Sequence, residues 1–199
     1  MERWVLLRKG ADFEAIGKKY QISPRLACLI RNRDVIGEEA IERYLNGTIS
    51  DLYDGMLMKD ADKAIDILKE KIAEEKKIRV IGDYDIDGVN ATYILLEGLE
   101  RLGAYVDSDI PDRIGDGYGL NRHLIDRAYD AGIDTIITCD NGIAAANEIA
   151  YGKELGMTII VTDHHEIPFD KIDGEKIYRL PPADAVIDPK QKDCVYPFK

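Results

Sequence analysis

The sequence is poor in the features that mark a secreted, membrane-spanning or zinc-stapled protein. Its three cysteines, Cys28, Cys139 and Cys194, are spread through 199 residues with no C-x-x-C pair. That spacing argues against a disulfide framework and a zinc knuckle, and fits a reducing compartment. No apolar run approaches the roughly 18 to 20 residues that span a bilayer. The N-terminus offers only Trp4 to Leu7 before charge returns, too little for the apolar core of a signal peptide. Internal repeats and low-complexity segments are absent. Basic residues are scarce too: 27 Lys and Arg stand against 38 Asp and Glu, a net charge of −11. Such a surface repels duplex DNA and anionic membranes unless cations or a local basic patch intervene. What remains is an ordinary globular balance, 45% hydrophobic and 33% charged, in a chain long enough for one domain with a small extension. The expectation is a soluble cytoplasmic protein.

Residues 1 to about 55 read as a helical extension. Ser23-Pro24 is a helix start, with Ser as cap and Pro in the first turn, and Gly37 to Asn46 is a second helix stopped by Gly47. Lys59 to Lys77 places Ala61, Ala64, Ile65, Leu68 and Ile72 at helical spacing, with Asp60 and Asp62 in its first turn. From residue 78 the pattern alternates. Strands are predicted at 78–81, 104–110, 135–139, 157–162 and 185–187, and helices at 89–102, 121–131 and 144–155, with 166–183 as irregular chain. Apolar strands such as IITC and TIIV in βαβ alternation imply an α/β fold, a parallel sheet with helices on both faces, over residues 56–199.

Three of these strands run into an acid. The segments are Val80-Ile81-Gly82-Asp83-Tyr84-Asp85-Ile86-Asp87-Gly88, Ile136-Ile137-Thr138-Cys139-Asp140-Asn141-Gly142, and Ile159-Ile160-Val161-Thr162-Asp163-His164-His165. The carboxyl ends of parallel strands share one edge, where ligands bind, so acids far apart in sequence are expected in one cleft. Two carboxylates about 4 Å apart repel by roughly 4 kcal/mol at an effective dielectric near 20. Several together require protons or cations, and Asp with neutral His is the donor mixture that suits Mn²⁺, or Mg²⁺ with more oxygen ligands. A calcium loop opening at Asp83, Asp85, Asp87 and Gly88 is the competing reading of the first segment, but its twelfth position is Ile94 where a Glu is needed, and a strand precedes it. Asp140 before Asn-Gly also suits a plain turn, and His164-His165 a solvated loop. It is the conjunction of the three segments that points to a metal or phosphate site.

The ordered set GDYDIDG, TCDNG and TDHH on these elements resembles the DHH phosphoesterase superfamily, and within it the RecJ-type single-strand-specific exonucleases. PDRIGDGYGLN (Pro111 to Asn121), PPADAVIDPKQ (Pro181 to Gln191), VYPFK at the end, and ISPRLACLIRNRDV with SDLYDGMLMKDADKAI upstream extend the resemblance over nearly the whole chain. The resemblance implies metal-dependent phosphodiester hydrolysis, 5′ to 3′ along single-stranded DNA, in repair and recombination. It implies Mn²⁺ or Mg²⁺, two ions in the full-length protein, and single-stranded DNA as the partner of a monomer, with other repair proteins allowed. By the same resemblance Asp85, Asp87, Asp140 and His164 are metal ligands, with Asp83 in the same acidic motif. Asp163 braces the histidines and His165 contacts the scissile phosphate. Arg113, with Gly115, Gly117 and Gly119, is placed on nucleic-acid phosphates, and Tyr118 and Tyr84 near the site; for the glycines a simple strand-to-helix turn is the alternative.

Two departures stand out. Ile81 occupies a position where many superfamily members carry His, and the family's fourth motif, with a further ligand Asp, has no counterpart before Lys199. Asp188 is not assigned that role, because its Asp-Pro context matches a different stretch. The chain is therefore expected to be the N-terminal fragment of a longer protein, lacking the accessory domain and inactive alone. Other readings are a phosphodiesterase on short oligonucleotides or cyclic dinucleotides and a non-catalytic DNA-binding scaffold. The roughly 75-residue lead before the first motif disfavours the former, and the intact motif acids the latter.

Overall fold

The computed structural model describes residue 5 and residues 9–115, 117, 119–172 and 174–198. Contacts divide the chain into two units, Met1–Leu52 and Tyr53–Lys199. In the first, α1 (Phe13–Tyr20), α2 (Pro24–Asn32) and α3 (Glu38–Asn46) follow one another. Asp12 caps α1 by accepting the Ala15 N–H, and Ser23 caps α2 by accepting that of Leu26. Ala27, Ile30 and Ile41 are its buried apolar residues.

The second unit opens with α4 (Ala61–Ala73), shorter than the periodicity predicts. The chain turns at Glu75, where φ is +56°, so Lys77 already opens the strand β1 (Lys77–Ile81). Then follow α5 (Ile86–Arg101), β2 (Tyr105–Asp109), α6 (Arg122–Asp130), β3 (Thr135–Cys139), α7 (Ala146–Glu154) and β4 (Thr158–Thr162). The chain ends on a hairpin, β5 (Phe169–Ile172) with β6 (Glu175–Tyr178), and a last strand β7 (Ala185–Ile187). The hairpin replaces the irregular chain expected over 166–183. Gly174, at φ +86°, supplies the left-handed residue its turn requires.

Five parallel strands form one sheet in the order β2-β1-β3-β4-β7. Within it β3 and β4 are the most deeply buried, which is why they read as almost unbroken β-branched runs. On one face Leu124, Ile125 and Ala128 of α6 and Ile149 of α7 pack on Ile81, Ile136, Ile159 and Val161. On the other, Ala64 of α4 and Leu99 of α5 pack on Ile78, Val80, Ile137 and Ile160. Each fully buried Ile contributes about 1.5–3 kcal/mol relative to exposure. Among the described residues no helix is long and apolar enough to cross a membrane.

Candidate metal centre

The chain runs from β1 outward to β2 and returns to add β3 on β1's other side, so the strand order switches direction between β1 and β3. Open α/β sheets form their ligand crevice at such a point. Asp83 follows β1 and Asp140 follows β3, one on each side of it.

After β1 the backbone doubles tightly into α5. A Cβ on Gly88 would sit 2.5 Å from the Asp83 carbonyl oxygen, and one on Gly82 would lie 1.8 Å from Thr92 Oγ1, so only glycine permits the approach. Asp85 caps the helix: its Oδ1 accepts the N–H groups of Asp87 (2.9 Å) and Gly88 (3.0 Å). The Gly88 N–H above all holds the Asp85 carboxyl below the usual carboxylate range. Asp83 is fully buried, and its Oδ1 accepts the Tyr84 N–H at 2.8 Å.

After β3, Asp140 adopts a left-handed conformation (φ +60°) that turns its side chain into the crevice edge, and its N–H still pairs with the Thr162 carbonyl. Its Oδ1 lies 2.7 Å from His164 Nε2. Burial pushes the Asp140 carboxyl above its ordinary value, with the Asp85 charge adding to the rise and His164 opposing it. Asn141, buried, donates to the carbonyls of Ile81 and Cys139 and so ties β1 to β3 beneath the acids.

After β4, Asp163 serves as a four-way acceptor. Its Oδ1 takes the N–H groups of His164 (2.7 Å) and His165 (3.1 Å) and lies 2.7 Å from His165 Nδ1; its Oδ2 takes the Ile143 N–H at 2.9 Å. Burial alone would depress the His165 pKa, but the Asp163 carboxylate outweighs it and holds the imidazole above its ordinary value. The two imidazoles sit 4.6 Å apart.

Two overlapping donor groups result: Asp83, Asp85 and Asp140, and Asp140, His164 and His165, each with ligand atoms within 4.8 Å of one another. Asp140 belongs to both. The fit to a cation is visible in what the protein leaves unsatisfied. Asp83 Oδ2 and Asp140 Oδ2 are buried and accept no hydrogen bond among the described residues. A buried carboxylate oxygen without a donor is costly, and here two face a shared cluster of acids. Oxygen-rich donors with imidazole on one side suit Mn²⁺ or Mg²⁺.

Not every expected residue joins. Asp87 falls in neither group; α5 begins at Ile86, three residues before the apolar period, with Asp87 in its first turn, and Asp87 lines a cavity of about 580 Å³ together with Asp140 and His164. Arg113 is exposed, its guanidinium 5.3 Å from the Tyr84 ring centre. Gly115 donates its N–H to Asp112 Oδ1, leaving the glycine loop one backbone donor fewer. Gly117 is exposed at φ +80°, whereas Gly119 is buried at φ +71° and lines a cavity of about 340 Å³ with Asn141, Asp163 and His165. Tyr118 lies outside the described residues.

Asp188 was passed over and has weight. It follows β7 as the other acids follow their strands, is fully buried, and has one oxygen with no hydrogen bond among the described residues. Burial first, and then the neighbouring Asp163 charge, push its carboxyl up to about 6. Its sequence signal, an acid closing an apolar strand, was the same as that of Asp140.

Known proteins resemble this chain in sequence and in fold. The family model described as "DHH family, N-terminal domain" matches residues 77–195. The single-stranded-DNA-specific exonuclease RecJ of Bacillus subtilis (strain 168) is 38% identical over 198 residues, covering 99% of this chain and 24% of the relative. A crystal structure of exonuclease RecJ bound to manganese matches with TM-score 0.60 at 33% identity, over 71% of this chain and 34% of that one. RecJ of Thermus thermophilus in complex with Mn²⁺ matches with TM-score 0.61 at 26% identity, over 97% of this chain and 26% of that one. The chain thus spans about a quarter to a third of the length of these relatives. With the family model matched over more than half its length, and the motif acids set on adjoining strand ends, the chain belongs to the DHH family.

Proposed function

We propose that this chain is the metal-holding part of a longer exonuclease that removes nucleotides from single-stranded DNA, 5′ to 3′, in repair and recombination, as a cytoplasmic monomer. The observation that carries the reading is the pair of donor groups hinged on Asp140, with unsatisfied oxygens on Asp83 and Asp140. The manganese in two structural relatives supports the choice of ion. Asp83, Asp85, Asp140 and His164 would hold two Mn²⁺ or Mg²⁺ ions. Bound together, such ions offset phosphate charge and acidify a water enough to attack phosphorus at neutral pH.

The chain's own residues do the rest. Asp85 stays ionised because helix N–H groups stabilise its charge. Asp163 fixes His165 through Nδ1 and keeps it protonated to higher pH, which suits the imidazole to donate to a phosphate oxygen of the substrate. Arg113 and the Gly117–Gly119 backbone are proposed as further phosphate contacts.

The test is degradation of end-labelled single strands by the longer natural polypeptide, with Mn²⁺ and with chelator, beside Mn²⁺ calorimetry on the 199-residue chain. Stepwise loss from the 5′ end that disappears in Asp85→Ala is expected, with weak Mn²⁺ binding and little turnover by the shorter chain. Cleavage of dinucleotides only, or strand binding without cleavage, would refute the exonuclease.

A further inference from the structure

The β5–β6 hairpin follows His165 closely in the chain, and all eight of its strand residues are exposed. Its antiparallel register pairs Phe169 with Tyr178, Asp170 with Ile177, Lys171 with Lys176 and Ile172 with Glu175. Directly opposed residues share a face and neighbours along a strand do not. One face therefore carries Phe169, Tyr178, Lys171 and Lys176; the other carries Asp170, Ile172, Ile177 and Glu175.

The two faces are treated differently. On the second, Asp170 is neutralised by Arg179, 3.2 Å away. On the first, two lysines stand directly opposite each other, a destabilising placement in a hairpin, and neither forms an ion pair among the described residues. Several other basic side chains of this unit have a carboxylate partner, as in Lys59–Asp193, Lys71–Asp134, Lys153–Asp184 and Lys190–Glu166. The rings of Phe169 and Tyr178 meet edge to face at 5.8 Å, and Lys176 Nζ lies 4.2 Å from the Phe169 ring centre. A chain with a net charge of −11 has thus gathered on a single strip two exposed rings and two cations that have no carboxylate partner among the described residues. Aromatic faces for bases and cations for phosphates are what a single strand needs.

We propose that this face of the hairpin grips single-stranded nucleic acid, Phe169 and Tyr178 stacking on bases and Lys171 and Lys176 meeting phosphates. It rests on the strand-hydrolase reading above and names where the strand is held.

The test is fluorescence anisotropy of a labelled oligothymidylate with the 199-residue chain across a salt series. Lys171→Gln with Lys176→Gln removes two phosphate contacts and should lower the slope of log affinity against log salt by about 1.4. It also relieves the lysine repulsion, which offsets the loss of the Lys176–Phe169 contact. Phe169→Ala with Tyr178→Ala should cost about thirtyfold or more in affinity. Lys63→Gln with Lys69→Gln, the same charge change on exposed positions of α4, should cost less than about threefold. Mn²⁺ binding by calorimetry and the melting curve should be unchanged in all of them. Equal losses from the α4 and hairpin lysine pairs, or none from either hairpin pair, would overturn the proposal while leaving the exonuclease standing. A parent chain that binds no oligothymidylate even at low salt would overturn it too, and degradation by the longer polypeptide then judges the hydrolase separately.

Discussion

Asp188→Asn should stabilise the protein at neutral pH and not in acid. The carboxyl is fully buried beside Asp163 and titrates near 6 in the folded chain, against an ordinary value of 3.8. Between those values the folded state holds a proton that the unfolded state has released, so stability falls as pH rises through the window. At roughly 1.4 kcal/mol per pKa unit, the ionised carboxylate costs about 3 kcal/mol once pH exceeds 6. Asn keeps an oxygen to accept the Lys190 N–H, bonded at 2.7 Å, and has no charge to bury. Thermal melts in chelator should show the variant about 6 to 12 °C more stable at pH 7.5, and equal to the parent near pH 4. Saturating Mn²⁺ should narrow the difference at pH 7.5, since cations held beside His164 favour an ionised Asp188. Matching melts at every pH, or a variant less stable at pH 7.5, would refute the reasoning.

Asp140→Asn strikes both donor groups and should weaken Mn²⁺ binding by roughly 100-fold or more in calorimetry; unchanged affinity would dissolve the centre as described. Asp163→Asn leaves a single uncharged acceptor oxygen for four donors and sets an NH₂ against one of them, and should destabilise by about 3 kcal/mol. Because His165 is held above its ordinary pKa, its share of that stability is present in acid and lost as pH rises through the raised value, so the deficit should shrink in alkali, with a lowered His165 titration by NMR. Gly88→Ala would put a Cβ 2.6 Å from the Asp83 nitrogen and should cost about 3 kcal/mol or more in urea melts. On the same helix Gly98, with nothing within 4 Å, should gain about 0.5–1 kcal/mol as Ala.

Sequence periodicity was a good guide wherever burial was two-sided. Thr135 to Cys139 and the strand ending at Thr162 are almost entirely β-branched and carry no charge because helices cover both faces, so the acids after them stand out at strand ends. It failed where local hydrogen bonding overrides the apolar period. Asp85 draws the start of α5 back to Ile86 through two side-chain bonds, and this sets Asp87 in the first turn of the helix, beside the cavity that Asp140 and His164 also line. The hairpin leaves no periodic signal because neither of its strands has a buried face to imprint a pattern, and Asp188, although it closes an apolar strand as Asp140 does, is set aside on its Asp-Pro context. The four-donor role of Asp163 depends on Ile143, twenty positions away, which no local reading reveals.

Placing Asp85 at the amino end of α5 divides labour among the acids in a way that governs proton competition. The positive pole of the helix opposes an incoming cation slightly, by about 0.3–1 kcal/mol, yet it also guarantees that this ligand is already deprotonated in mild acid. Asp140, buried and shifted the other way, has no such guarantee. As the medium acidifies, loading of the ions should fail first at the shared hinge carboxylate while Asp85 is still charged, so one titrating acid disables both halves of the cluster together.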